Sequence, residues 1–370
     1  MAAPEPVWKP SPEWISAANL TGFIRLVGER IAPEVADYAS LYRWSVERPR
    51  QFWPAVWDFC QLRASRPGDH VVENLDRMPG ARWFPGARLN FAENLLRHRG
   101  TADAIVFWNE RGRQAVLSFD ELHEEVSALT GAFRAWGVTA GDRVAGYLPN
   151  LPETVIAMLA GAAVGAVWTS CSPDFGLAAV RDRFGQVQPR VLVAASSYEY
   201  AGKRHSYLER VRELAAALPS VERTILVPYL EAPPPADRPR QSILWDDALA
   251  HGRVRGASFE HLPFDHPVYI LYSSGTTGPP KCIVHGAGGT LLQHLKEHVL
   301  HSDLKTGDRM LYFTTCGWMM WNWLASALAS GAAILLYDGS PLYPAPDFLF
   351  RLAGQERATH FGISARYLAA

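Results

Sequence analysis

One short stretch, Tyr272-Ser-Ser-Gly-Thr-Thr-Gly-Pro-Pro-Lys281, gathers hydroxyls, glycines and a positive charge at the end of an apolar run. Ser273, Ser274, Thr276 and Thr277 offer hydroxyl donors, Gly275 and Gly278 let a backbone come close to a phosphate, and Lys281 supplies a point charge. Together these suit a triphosphate. The stretch is not a Walker A loop, because Lys281 stands three residues beyond Gly278 and is followed by Cys282 rather than by serine or threonine. The alternative is a flexible Ser/Gly surface loop, but such loops rarely end a buried strand with a Pro-Pro-Lys clamp.

Two further groups of residues have chemistry in their spacing. His294, His298 and His301 fall at i, i+4 and i+7, which would place three rings on one helix face. No carboxylate completes a metal site there, since Glu297 lies on a different face, so the expectation is a partly exposed helix face and no metal. Trp318, Met319 and Met320 bring indole and thioether groups together, a soft apolar wall suited to a short carbon chain, or simply core. His285, four residues past Lys281, is expected to brace the strand returning from the loop.

A phosphate loop needs a rigid strand to leave from, and parallel sheets bind ligands at the carboxyl ends of their strands. The chain supplies the pattern. Ser118 and Glu121 read as a capping box, and Leu122, Val126, Leu129 and Phe133 form one apolar stripe that stops near Gly137. Strands are expected over 143–148, 167–170, 191–194 and 224–227, alternating with helices over 152–165, 177–187 and 207–218. The proline run at 231–239 reads as a surface loop or a linker between subdomains. Beyond it come a strand over 268–272, a helix around 291–300, and strands over 310–313, 332–337 and 359–363. Such alternation predicts an α/β fold of two subdomains with largely parallel sheets. Residues 1–100 are rich in tryptophan and proline, with Phe52, Val56 and Phe59 on one helical stripe after Pro49, and read as a helical cap on a large domain at 101–370.

Composition removes several classes of function. Lys+Arg 36 against Asp+Glu 37 gives a net charge of -1, without the bulk basicity that nonspecific nucleic-acid binding relies on. The four cysteines, Cys60, Cys171, Cys282 and Cys316, lie far apart with no C-x-x-C pair, which suggests neither disulfides nor a zinc knuckle and points to a reducing, cytoplasmic compartment. The apolar run at 155–168 is shorter than the roughly 20 residues of a membrane span. The uncharged segment 311–337 contains Asn322, Ser326 and Ser330 and is split by Gly331, so a buried helix and strand fit it better. The first residues, with Pro4, Glu5, Pro6, Pro10 and Pro12, lack the apolar core of a signal peptide. Small-molecule partners are expected, and the oligomeric state stays open.

Residues 273–281 match the phosphate-loop signature of the adenylate-forming acyl-CoA synthetases, which this chain resembles over essentially its whole length. Tyr42-Arg-Trp-Ser-Val-Glu-Arg-Pro-Arg-Gln-Phe-Trp53, Trp83-Phe-Pro-Gly-Ala-Arg-Leu-Asn-Phe-Ala-Glu-Asn94 and Pro149-Asn-Leu-Pro-Glu-Thr154 resemble the cap and core of acetyl-CoA and acetoacetyl-CoA synthetases. Pro280-Lys-Cys-Ile-Val-His285 and Trp83-Phe-Pro-Gly86 point to the acetoacetate branch, and Cys282, where most of the superfamily has glycine, reads as a marker of that branch.

The resemblance implies a two-step ligase using ATP, Mg²⁺ and CoA: a carboxylate, here acetoacetate, attacks the α-phosphate of ATP, and the CoA thiol then displaces AMP. It implies that the loop holds the β- and γ-phosphates, with Lys281 and Thr276 as catalytic residues. The segment Phe313-Thr-Thr-Cys-Gly-Trp-Met-Met-Trp-Asn322 matches the acyl-pocket motif, which would put Trp318, Met319 and Met320 against the acid. Ser172, Pro173 and Asp174 would meet CoA, and Lys203 and Arg204 its phosphates, unless the last two merely begin a solvated helix. A ligase for another short or medium acid, and a non-catalytic ATP- or CoA-binding remnant, are the alternatives. The family's adenine and magnesium motif, ribose aspartate, hinge and adenylation lysine are expected beyond Ala370. The chain therefore reads as the N-terminal part of such a ligase, with little activity alone and an unpaired strand edge near 359–363.

Overall fold

A computed structural model describes residues 8–231, 235–253, 258–273 and 278–369. Local sequence explains how its first helices start. Ser11 accepts the Trp14 amide hydrogen and Pro12 opens α1 (Pro12–Ala17), and α2 (Asn19–Arg30) follows. Asp37 and Ser40 form a capping box on α3 (Tyr38–Glu47), and Pro49 sits where a helix needs no amide donor, opening α4 (Pro49–Phe59). Phe23, Val27, Leu41, Trp44 and Val56 are buried in one core that these helices share with the sheets beyond, and Phe23 meets Phe59 edge-on at 5.2 Å. A fully buried ring or branched side chain of this kind contributes roughly 1.5–3 kcal/mol. Three short strands, β1 (Val72–Glu73), β2 (Arg82–Trp83) and β3 (Arg88–Leu89), lead to α5 (Phe91–Leu95), which Asn90 caps.

The hairpin of β4 (Asp103–Asn109) and β5 (Gly112–Ser118) runs into α6 (Phe119–Ala135), whose capping box is Ser118 with Glu121 and whose buried stripe includes Leu122, Val126, Leu129 and Phe133. Then come β6 (Arg143–Tyr147), α7 (Pro152–Ala163), β7 (Val167–Cys171), α8 (Leu177–Val187) and β8 (Val191–Ala195). A second hairpin, β9 (Ser197–Tyr200) with β10 (Lys203–Ser206), precedes α9 (Leu208–Ala217), β11 (Arg223–Val227), β12 (Ser242–Leu244) and α10 (Trp245–Gly252). The rest is β13 (Leu262–Pro263), β14 (Pro267–Tyr272), β15 (Cys282–Gly286), α11 (Ala287–Leu295), β16 (Arg309–Tyr312), α12 (Met319–Ser326), β17 (Ala333–Asp338), α13 (Phe348–Gln355), β18 (His360–Gly362) and α14 (Ala365–Leu368).

Among the described residues, seven strands form one sheet in the order β12-β11-β8-β6-β7-β14-β15, and five form another in the order β18-β16-β17-β4-β5. Each is parallel except for one hairpin, β14/β15 in the first and β4/β5 in the second. The continuous apolar runs of β7 and β8 are buried along their whole length, as strands covered on both faces require. This is the α/β architecture of two largely parallel sheets that the alternating pattern predicts. No helix among the described residues is long and apolar enough to cross a membrane.

Three local expectations are corrected. The proline run does not link subdomains: it lies between β11 and β12, which pair in parallel within one sheet with Thr224 opposite Ser242. Lys203 and Arg204 begin no helix but form part of β10. The histidine face is mostly interior, because His294 and His298 are buried and His301 alone of the three reaches solvent. The α-helix gives way to a π-helical turn over Lys296–His301, and Ser326 of α12 lies 2.9 Å from both buried rings. Burial pushes His294 down to about 3 and His298 to about 4, so both imidazoles are neutral at physiological pH.

Candidate active site at the facing carboxyl edges

The carboxyl ends of the two sheets face each other, and buried polar side chains fasten them. Asn150, just past β6, donates to the carbonyl oxygens of Thr314 (3.4 Å) and Tyr337 (3.3 Å) and accepts the indole N–H of Trp321 (2.8 Å). Ser170 at the end of β7 donates to the Cys316 carbonyl (2.6 Å), and the Cys316 thiol contacts the Leu148 carbonyl at 2.9 Å. Burial raises that thiol far above its ordinary range, so Cys316 is a small buried donor and not a nucleophile. This network forms a floor.

Above it stands the tip of the β14/β15 hairpin. Tyr272 and Cys282 pair across the hairpin, the Ser273 amide donates to the Lys281 carbonyl (3.0 Å), and the Lys281 amide donates to Ser273 Oγ (3.3 Å). The Lys281 side chain is exposed. From α8, Gln186 donates to the Pro280 carbonyl (3.1 Å). The Tyr272 hydroxyl donates to the Arg183 carbonyl (3.3 Å), and the Arg183 guanidinium lies over the rings of Phe175 and Tyr272, 4.8 and 5.8 Å from their centroids. Ser274, Gly275, Thr276 and Thr277 lie outside the described residues. His285 sits on the return strand with its ring 5.1 Å from that of Tyr269. The described residues of the tip offer a hydroxyl and an ammonium but no carboxylate, and so do not fit a resident divalent cation.

The other expected positions gather around the same edge. Ser172 and Pro173 are buried and Asp174 is exposed in the turn after β7, with the Ser172 hydroxyl donating to the Asp174 carboxylate. That turn packs on the one before α12: a Cβ added at Gly317 would sit 3.0 Å from the Phe175 ring. Trp318 and Met319 follow at the start of α12, 56% and 44% exposed, with Met320 half-buried. Lys203 and Arg204 are exposed on β10, where Arg204 pairs with Glu231 at 3.2 Å. Aromatic contacts connect their hairpin to the Phe175 turn: Tyr198 meets Tyr207 at 5.6 Å, Tyr207 meets Tyr147 at 4.4 Å, and the Tyr147 hydroxyl donates to the Phe175 carbonyl at 2.8 Å. Two cavities of about 490 and 460 Å³ lie elsewhere and touch none of these residues.

Sequence reasoning missed the roles of Asn150, Gln186 and Asp338. Asp338 closes β17 with Oδ2 shut away from solvent, and desolvation, reinforced by the Glu110 and Glu199 carboxylates, pushes it up to about 7 despite a hydrogen bond from Tyr229. Nothing in the sequence singles it out, because its neighbours come from β4, β9 and the segment after β11.

Comparison with known proteins places this geometry. A family model described as AMP-binding enzyme matches residues 91–370, and one described as acetyl-coenzyme A synthetase N-terminus matches residues 38–95. The chain is 49% identical over 369 residues to the acetoacetyl-coenzyme A synthetase of Rhizobium meliloti (strain 1021), covering 100% of this chain and 56% of that one. It is 41% identical to the malonamoyl-CoA synthetase vrtB of Penicillium aethiopicum, over 95% of this chain and 52% of that one. The solved acetoacetyl-CoA synthetase from Streptomyces lividans superposes with a TM-score of 0.94 at 44% identity, covering 99% of this chain and 56% of the other. The chain thus spans about half the length of the relatives it matches. A family model matched over most of the chain makes the chain a member of the AMP-binding enzymes, with acetoacetyl-CoA synthetases among its relatives.

Proposed function

We propose that this chain serves an ATP-dependent acid–thiol ligase that converts acetoacetate, ATP and CoA to acetoacetyl-CoA, AMP and pyrophosphate through an acyl-adenylate. The observation that carries the reading is that the β14/β15 hairpin, with Lys281 exposed, leaves the sheet at the carboxyl edge where Asn150 and Ser170 fasten the two sheets together. The Lys281 ammonium, with the hydroxyls of Ser273, Ser274, Thr276 and Thr277 and the amides of Gly275 and Gly278, would bind the β- and γ-phosphates. They would stabilise the charge that develops as pyrophosphate leaves. Mg²⁺ would come with the nucleotide's own phosphates. Trp318, Met319 and Met320 form the apolar side of the acid site, and Ser172, Pro173, Asp174, Lys203 and Arg204 the CoA side. A cytoplasmic setting suits four free thiols.

The malonamoyl-CoA relative supports a second reading, in which the acid is another short one with a carbonyl at C3. Both are tested, in a ligase of the full length of the relatives, by acid-dependent pyrophosphate exchange with acetoacetate, malonamate, acetate and a long-chain fatty acid. Preference for acetoacetate supports the main reading and preference for malonamate the second. Equal efficiency with the long-chain acid overturns both. Binding of ATP and CoA with no exchange for any acid would favour a binding protein over a ligase.

A further inference from the structure

The turn between β4 and β5 reaches out of the five-stranded sheet and grips the β9/β10 hairpin, which hangs from the seven-stranded one. Glu110, 6% exposed, accepts three backbone amide hydrogens at 2.7 Å: Ala201 and Ser340 on Oε1 and Gly202 on Oε2. Arg111 beside it forms a two-pronged ion pair with Glu199 of β9 (2.9 and 3.0 Å). Ala201 and Gly202 are the two residues between the paired ends Tyr200 and Lys203, with φ of +51° and +73°. A two-residue turn of this kind matches the strand twist but strains an alanine, and amide hydrogen bonds from outside hold it in place. Gly202 admits no side chain, since a Cβ there would lie 2.5 Å from the Tyr343 hydroxyl.

We propose that Glu110 is a positioning residue for CoA: by holding the Ala201–Gly202 turn it sets the place of Lys203 and Arg204, which receive the ligand's phosphate monoester. The inference rests on the CoA reading above and adds a residue to it that touches no ligand. A carboxylate suits the task because it has only acceptors, and three donors converge on it. Glutamine is nearly the same shape but turns one oxygen into a donor facing an amide hydrogen. Alanine removes all three bonds. The effect should therefore be graded, with glutamate holding best, glutamine less well and alanine least.

The test uses the full 370-residue chain and measures the affinity for CoA and for dephospho-CoA, which lacks the monoester. Amide exchange at Ala201 and Gly202 is followed alongside. The wild type should prefer CoA, and Lys203→Ala with Arg204→Ala should erase that preference without changing exchange at the turn. Glu110→Ala should speed exchange at both amides at least tenfold and lower the CoA preference severalfold, while ATP affinity stays constant, with Glu110→Gln in between. A merely structural role would weaken all three ligands together. Unchanged amide exchange in Glu110→Gln, or faster exchange with the CoA preference intact, overturns the positioning role while leaving the CoA reading in place. A wild type without CoA preference, or one indifferent to loss of both basic side chains, removes CoA from this hairpin and overturns the inference at its premise.

Discussion

Two hairpins, β14/β15 and β9/β10, are held in opposite ways. The described part of the β14/β15 tip is closed by its own backbone bonds and touched from below by Gln186, with Lys281 exposed. The β9/β10 turn is gripped by a buried carboxylate and a two-pronged ion pair, and edge-on and tilted tyrosine contacts connect its hairpin to the neighbouring turn. The first puts its functional groups on side chains that can follow a ligand. The second relies on placement, with its few charges set by a backbone that has little freedom. Substitutions at the tip should therefore change chemistry and spare stability, and substitutions at the clamp should do the reverse.

The largest expected effect is on the clamped side and comes from Asp338, which lies among Glu110, Glu199 and Tyr229. Its carboxyl is raised in the fold to about 7 from an ordinary 3.8, so the folded state favours the protonated form. The stability it contributes is complete below about pH 4 and is lost as pH rises through about 7, on the order of a few kcal/mol in all. Urea unfolding at pH 5 and pH 8 should show this loss in the wild type and a smaller one in Asp338→Asn. Equal losses in the two proteins would mean that the clamp region is indifferent to this charge.

Next comes Lys281→Ala. In a ligase of the full length of the relatives, removing a charge that stabilises the transition state should slow acetoacetate-dependent pyrophosphate exchange about hundredfold, roughly 2.7 kcal/mol, while acid binding stays nearly intact. The unfolding free energy should move by less than about 0.5 kcal/mol, as for other exposed positions. A variant that exchanges normally, or that loses several kcal/mol of stability, would erase the contrast between the hairpins. The smallest effect is expected from Arg111→Ala, which leaves the mostly buried Glu199 carboxylate without its partner. The arginine is half exposed and solvent screens the pair, so about 1 kcal/mol of stability should be lost, with no change in exchange rate at saturating ATP and acid.

What the sequence discloses follows the range of each interaction. The α6 capping box is a contact across three residues, and Ser118 and Glu121 show it directly. The strands of the parallel sheets are apolar runs between helical stripes and can be read for the same reason. The two hairpins β4/β5 and β9/β10 are harder. Their turns, Glu110-Arg111 and Ala201-Gly202, are stabilised by each other across some 91 residues of sequence. The hydroxyl- and glycine-rich run at 273–281 stands out because its groups lie in consecutive residues, whereas Asn150 draws its partners from 164 to 187 residues away. The buried histidines went wrong for a related reason: spacing alone places His294 and His298 on one face, but only the serine of a distant helix shows that this face is inside.

Among the described residues, β15 is the last strand in its sheet, with Ile283 and Val284 half exposed along it. An edge with aliphatic side chains is a template on which another chain can add a strand, so a hairpin built at such an edge carries a colloidal hazard. The approach to that strand is Pro279-Pro280-Lys281, two residues that cannot donate to a ladder and one that brings charge. These are the residue types that blunt exposed edges in other sheets. The three positions that carry the proposed phosphate site thus also guard the solubility of the sheet, and selection for either would preserve both.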